Sequence, residues 1–124
     1  MEERDPLTDR VIGAAIEVHR ILGPGLLESV YQKCLCHELA LRGVAFRGQV
    51  ELPVVYKDVD LGCNFVMDIV VEDSLVLELK AIEKLAPIHE AQLLTYLRLS
   101  GIRCGLLLNF HQPLLRDGIK RMVL

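Results

Sequence analysis

Apolar side chains recur at helical spacing from Thr8 to Leu22, where Val11, Ala15, Val18 and Leu22 fall on one stripe and Thr8 is placed to cap the N-terminus. Gly23-Pro24-Gly25 interrupts the chain, and a second helix is expected from about Leu26 to Arg42, stopped by Gly43. The period then changes. Gln49 to Tyr56 favours a strand, with Pro53 marking an edge or a bulge, and Lys57 to Asp60 reads as a turn. Two β-rich runs follow, Leu61 to Val71 and Leu75 to Ala81, separated by Glu72-Asp73-Ser74. Pro87 suits the first turn of a third helix that should continue to about Ser100, before Gly101. Cys104 to Phe110 has no polar face and reads as a buried strand, with Ile119 to Leu124 a final short strand or turn of helix. Helix, helix, three strands, helix, strand and tail together predict an α/β domain with a central mixed sheet flanked by helices.

Strand periodicity also says which polar residues share a face. Val66, Asp68 and Val70 are expected to point one way, as are Val76, Glu78 and Lys80. A three-residue turn centred on Asp73 pairs Val71 with Leu75, which sets Asp68 opposite Glu78 and Val66 opposite Lys80. Directly opposed side chains have Cβ atoms about 5 Å apart. Two carboxylates at that separation among valines repel each other and resist desolvation, and Lys80 alone is only a diagonal neighbour. A bound Mg²⁺ or Mn²⁺ would compensate, since hard cations take carboxylate oxygens and keep positions for water and phosphate. The alternative is a salt-bridged face in which the three residues simply meet solvent. Val66, Val70 and Val76 weigh against it, because a solvated face more often carries Thr, Ser or Lys.

Composition narrows the function classes. At 124 residues the chain fits one domain, residues 1–124, with half its residues apolar and a quarter charged. No apolar run reaches the ~20 residues that span a bilayer. The charged start, Met1-Glu2-Glu3-Arg4-Asp5, lacks the order of a secretion signal, so a cytoplasmic location is expected. A net charge of −3 argues against a general nucleic-acid coater, but not against an enzyme that grips nucleic acid locally. Cys34, Cys36, Cys63 and Cys104 lack zinc spacing and read as buried, reduced thiols.

Both flanking helices add candidates. Glu28 lies on the stripe of Tyr31, Leu35 and Leu39, where an apolar residue is expected, although an acid there also suits a helix N-terminus. His89, Gln92 and Tyr96 form one polar-aromatic stripe on the third helix, beside the packing face of Leu93, Leu94 and Leu97. Gln92 and Tyr96 are placed to reach a phosphate or a metal-bound water, and His89 to do the same or to cap its own helix. An exposed helix face is the bland alternative.

These residues resemble a known family. Gly25-Leu26-Leu27-Glu28-Ser29-Val30-Tyr31 has the form of the motif that names the GxxExxY family, assigned to the PD-(D/E)xK nuclease superfamily. Asp68 followed by Glu78-Leu79-Lys80 resembles that superfamily's catalytic signature, with Met67 where the name has Pro. Gln92-Leu93-Leu94-Thr95-Tyr96 is similar to the Gln-x-x-x-Tyr motif of its RecB-like branch. The resemblance implies a restriction-endonuclease-like core and a metal-dependent nuclease acting on phosphodiester bonds, with DNA the expected substrate. It implies Asp68 and Glu78 as metal ligands with the Leu79 carbonyl, and Glu28 assisting from the helix directly or through water. Lys80 would orient or deprotonate the attacking water and stabilise charge on the phosphate. Gln92 would position the lysine or the phosphate, with Tyr96 supporting it.

Two other functions remain open at this level. One is a catalytically silent nuclease-fold module that binds nucleic acid or a partner. The other is a subunit of a homodimer or larger complex, since the sequence shows no evident extension for gripping DNA. Arg116, Lys120 and Arg121 are candidate phosphate contacts or a solvated basic tail.

Overall fold

The computed structural model describes residues 5–124; the charged stretch Met1–Arg4, on which the expected location rests, lies outside the described residues. Helix α1 (Pro6–Leu22) starts earlier than Thr8. Asp5 is the cap: its Oδ1 accepts the Thr8 N–H at 2.8 Å, while Pro6 occupies the first turn, where a missing N–H costs nothing. Thr8 is buried in that turn, its hydroxyl donating to Asp5 Oδ2 at 3.2 Å.

Helix α2 (Glu28–Leu41) begins later than the periodicity suggests, because Leu27 is still extended. Strands β1 (Phe46–Tyr56) and β2 (Val59–Val71) form a long hairpin turned by Lys57 and Asp58, both with positive φ. Strand β3 (Leu75–Lys80) follows after Glu72-Asp73-Ser74. Helix α3 (Pro87–Ser100) leads into β4 (Cys104–Asn109); a 3₁₀ turn (Leu115–Gly118) and β5 (Ile119–Val123) finish the chain. Gly101 takes the left-handed conformation, φ 76°, that ends α3.

The sheet order is β1-β2-β3-β4-β5, with every neighbouring pair antiparallel except β3 and β4. A parallel pair needs a crossover, and α3 supplies it. Helices α1 and α2 cover one face of the sheet over Ile69, Val71, Leu75, Leu77, Leu79, Leu106 and Leu108. Helix α3 covers the other over Val70, Val76 and Leu107. This mixed five-stranded sheet between helical layers is the expected α/β architecture. Among the described residues no helix is long and apolar enough to cross a membrane.

The predicted hairpin register is present: Val71 pairs with Leu75, Val70 with Val76 and Ile69 with Leu77. Pairing stops there, so Val66 and Lys80 do not become partners. The expectation that Val66, Asp68 and Val70 share a face is also overturned. Ile69 and Val71 belong to the core under α1 and α2, whereas both Met67 and Val70 lie under α3. Strand β1 changes face at the same level, Phe46 packing with the first core and Val50 and Leu52 with the second. The cause is local. The β1–β2 ladder skips the Gln49/Asp68 position, and Gln49 has φ 51° in the middle of its strand. A left-handed residue rotates the pleat, so alternation on one side does not extend to the other.

Beyond this point the β1–β2 hairpin projects past the shorter strands as an arm. Its tip exposes Val55, Tyr56, Val59 and Leu61, with mixed charges on Glu51, Lys57, Asp58 and Asp60. Cys34, Cys36 and Cys104 are half-buried free thiols, but Cys63, on the arm, is exposed rather than buried.

Candidate active site

Strand β3 alternates Leu75, Leu77 and Leu79 toward α1 and α2 with Val76, Glu78 and Lys80 toward α3. Past the Ile69–Leu77 pair, β2 and β3 splay, and side chains take over from the ladder. Asp68 N–H donates to Glu78 Oε1 at 3.0 Å, and Leu79 N–H donates to Asp68 Oδ2 at 2.8 Å. Each acid thus satisfies a peptide group on the other's strand. The two carboxylates are brought together, as the register argument requires, and each keeps its second oxygen for another partner.

That arrangement is electrostatically costly. Glu78 is 4% exposed, and its carboxyl is pushed up to about 8, chiefly by burial and next by the charge of Asp68. The Asp68 N–H and Lys80 act against the rise, and Glu28 adds to it. Asp68, half-buried, is also raised by burial; the Leu79 N–H and Lys80 pull it down, and Glu28 pushes it up. Neither acid has a cation in direct contact among the described residues' ion pairs. Two buried like charges whose free oxygens face no positive partner form a donor set suited to a hard divalent cation. Among the described residues, no group of three or more His, Cys, Asp and Glu side chains lies close enough to hold a metal. The acids that meet here are therefore two, Asp68 and Glu78.

Glu28 stands exposed at the first position of α2, where it acts on both acids through its charge. Its place is fixed by its motif. Gly25 adopts φ 98°, which favours glycine. Tyr31, fully buried and stacked on Phe110 at 4.4 Å, donates its hydroxyl to the Gly23 carbonyl (2.6 Å) and accepts from Leu26 N–H (3.2 Å). The glycine turns the loop, the tyrosine ties it down, and the acid one turn earlier is presented toward β2 and β3.

Helix α3 brings the remaining candidates. Lys80 Nζ donates to Gln92 Oε1 at 3.4 Å, and Tyr96, hydrogen-bonded to Gln92, is nearly buried beside Phe65. Burial, then the charges of Glu78 and Asp68, raise the Tyr96 hydroxyl above its usual range, against the opposing effect of Gln92. His89 does not join them: its Nδ1 accepts the Ala86 N–H at 2.8 Å and caps its own helix. Arg121 is half-buried and paired with Asp5 at 3.9 Å, whereas Arg116 and Lys120 are exposed. A cavity of about 560 Å³ between the end of α1 and the 3₁₀ turn, lined by Ile16, His19, Leu115 and Arg116 among others, contains none of the candidate catalytic or metal-binding residues.

One contact was not foreseen from the sequence. Gln32 Nε2 donates to the Asp68 carbonyl at 2.9 Å. The spacing of four from Glu28 to Gln32 was the available signal, since it puts both on one side of α2.

No match is found among curated proteins or among solved structures. A family model described as PD-(D/E)XK nuclease superfamily does match, from residue 5 to residue 122, and so takes in every element of the sheet and every candidate residue named above. With the acid pair and its lysine on the splayed strands of that core, the chain belongs to the PD-(D/E)XK nuclease superfamily.

Proposed function

We propose that this chain is a divalent-metal-dependent nuclease that hydrolyses phosphodiester bonds of DNA, with Mg²⁺ or Mn²⁺ as its metal. The observation that carries the reading is the crossed pair of carboxylate-to-peptide bonds between Asp68 and the Glu78-Leu79 segment. It holds two buried acids together at the cost of their ionisation, an arrangement more useful to a cation than to the fold. Nucleases of this superfamily are generally divalent-metal dependent, which agrees with that donor set.

Asp68 and Glu78 would hold the metal with the Leu79 carbonyl, and Glu28 would assist through water, consistent with its exposed position. When bound, the metal polarises a phosphoryl oxygen and lowers the pKa of water. The chain's own groups do the rest. Lys80, at the end of β3, would orient the attacking water or, as the free amine, take its proton, and as the ammonium would offset the negative charge that develops on phosphate. Gln92 holds the lysine from α3, and Tyr96 holds Gln92.

The test is cleavage of plasmid and single-stranded DNA with Mg²⁺ or Mn²⁺, comparing the native chain with Asp68→Ala and Lys80→Ala. Cleavage that survives both substitutions defeats the reading. Among the described residues no third acid stands close enough to share a metal with the pair, Glu28 acting only through its charge, and this favours, as the second reading, a module that binds nucleic acid without turnover. Metal-dependent DNA binding in calorimetry, with no cleavage, selects it.

A further inference from the structure

Asp68 is the residue at which β2 loses its backbone partners on both sides. Toward β1 the ladder runs Gly48–Ile69, then Val50–Met67, and omits Gln49–Asp68. Toward β3 the last pair is Ile69–Leu77. A peptide unit at such a point has no sheet geometry to hold it, and a half-buried carbonyl left without a donor is penalised.

Three bonds replace the missing ones. Two come from the acid pair itself: Asp68 N–H to Glu78 Oε1, and Leu79 N–H to Asp68 Oδ2. The third, from Gln32 to the Asp68 carbonyl, is independent of both carboxylates. Gln32 reaches it because α2 crosses β1 closely at Gly48, where an added Cβ would lie 3.9 Å from Cys36 Sγ and 4.0 Å from Gln32 Nε2. Gln49, left-handed, turns its own peptide away, and the helix side chain fills the gap.

We propose that Gln32 is a positioning residue for Asp68: its side-chain amide takes the place of the omitted β1 strand partner and fixes the peptide from which the acid projects. This inference rests on the nuclease reading for its consequence, since an aspartate that swings on an unsupported peptide holds a cation less well. It does not rest on that reading for its geometry. Because Gln32 lies on α2 with Glu28, the same helix sets both the acid pair and the acid that modulates it.

The experiment uses Gln32→Met, which keeps length and removes the donor, and Gln32→Glu, which keeps shape and presents an acceptor. Amide hydrogen exchange on the metal-free protein should show Asp68 and Leu79 exchanging about tenfold faster or more in both variants, with Leu106–Leu108 unchanged. Mn²⁺ titration calorimetry should show affinity weakened about tenfold or more, the size expected for losing an outer-shell support. The urea midpoint should barely move, and any loss in cleavage should fall on kcat rather than KM. Unchanged exchange at Asp68 and Leu79 together with unchanged Mn²⁺ affinity overturns the proposal. So does a Gln32 side-chain NH₂ that exchanges at the free rate in the native chain, a measurement needing no variant to fold. If the native chain binds no Mn²⁺ while Asp68 exchange still responds to Gln32, the nuclease reading fails and the positioning stands.

Discussion

The two faces of strand β3 have the same backbone and opposite economies. Toward α1 and α2 it presents Leu75, Leu77 and Leu79, each at most 1% exposed within an apolar core. Toward α3 it presents Val76, then Glu78 and Lys80 beside Tyr96 and Gln92. Burial on the first face drives folding, whereas burial on the second keeps a carboxylate protonated against its nature. From Leu77 to Lys80 stability and chemistry are divided between alternate residues, so the effect of a substitution there should depend on the parity of its residue number.

The largest expected effect is on the chemical face. Asp68→Ala or Lys80→Ala should reduce metal-dependent cleavage by about 10²–10³-fold or more in single-turnover assays, about 3–4 kcal/mol of lost transition-state stabilisation. Their urea midpoints should not follow. Next comes the structural face: Leu77→Ala should cost about 2–5 kcal/mol in urea unfolding, because the neighbouring leucines cannot close the cavity. Activity per folded molecule should survive it. Equal losses of stability from both kinds of substitution would erase the distinction between the faces.

Glu78→Gln sharpens the comparison through its sign. The folded carboxyl titrates near 8 instead of the ordinary 4.5, so the native state holds a proton that the unfolded chain releases between those values. Metal-free stability should therefore be intact below about pH 4.5, fall as pH rises, and reach its full deficit above about pH 8. Glu78→Gln should flatten this slope and stabilise the metal-free protein at pH 8 by about 1–3 kcal/mol, while weakening Mn²⁺ binding. Added Mn²⁺ should raise the native chain's melting temperature more at pH 8 than at pH 5. A metal-free stability that rises with pH contradicts the assignment. The smallest effect belongs to Tyr31→Phe, which frees the loop at Gly23 and Leu26 and should cost about 1 kcal/mol, with a modest loss of activity through Glu28.

Much of this division was legible in the sequence. Pro87 and Gly101 bracket α3 as expected because each acts through its own backbone restriction. The turn at Glu72-Asp73-Ser74 fixed the register of Asp68 against Glu78, since hairpin pairing follows from loop length. What escaped was set by distant contacts. Period-two reasoning assumes an unbroken pleat, so it could not see both strands change face at Gln49 and Asp68. It placed Val66 in the site, where the structure leaves it 38% exposed. Thr8 looked like a cap because Asp5 and Thr8 are equally good ones, and only the extended ψ of Asp5, 159°, with its bond from the Thr8 N–H, decides between them. Gln32 was not singled out because its spacing of four from Glu28 gives only a shared side of α2; its meaning depends on a carbonyl 36 positions along the chain. Tyr31 read as part of a chemical motif, and its hydroxyl serves the loop that carries the motif's acid.

Among the described residues strand β1 has no neighbour on its outer side, and the outward-facing peptide groups of this eleven-residue edge are a template for other chains. The left-handed Gln49, the prolyl ring at position 53 and the register shift between Pro53 and Val55 divide that rim into short pieces. None is long enough to recruit a strand from a neighbouring molecule. The same kink that opens the sheet around Asp68 thus also keeps concentrated protein from zipping into fibres.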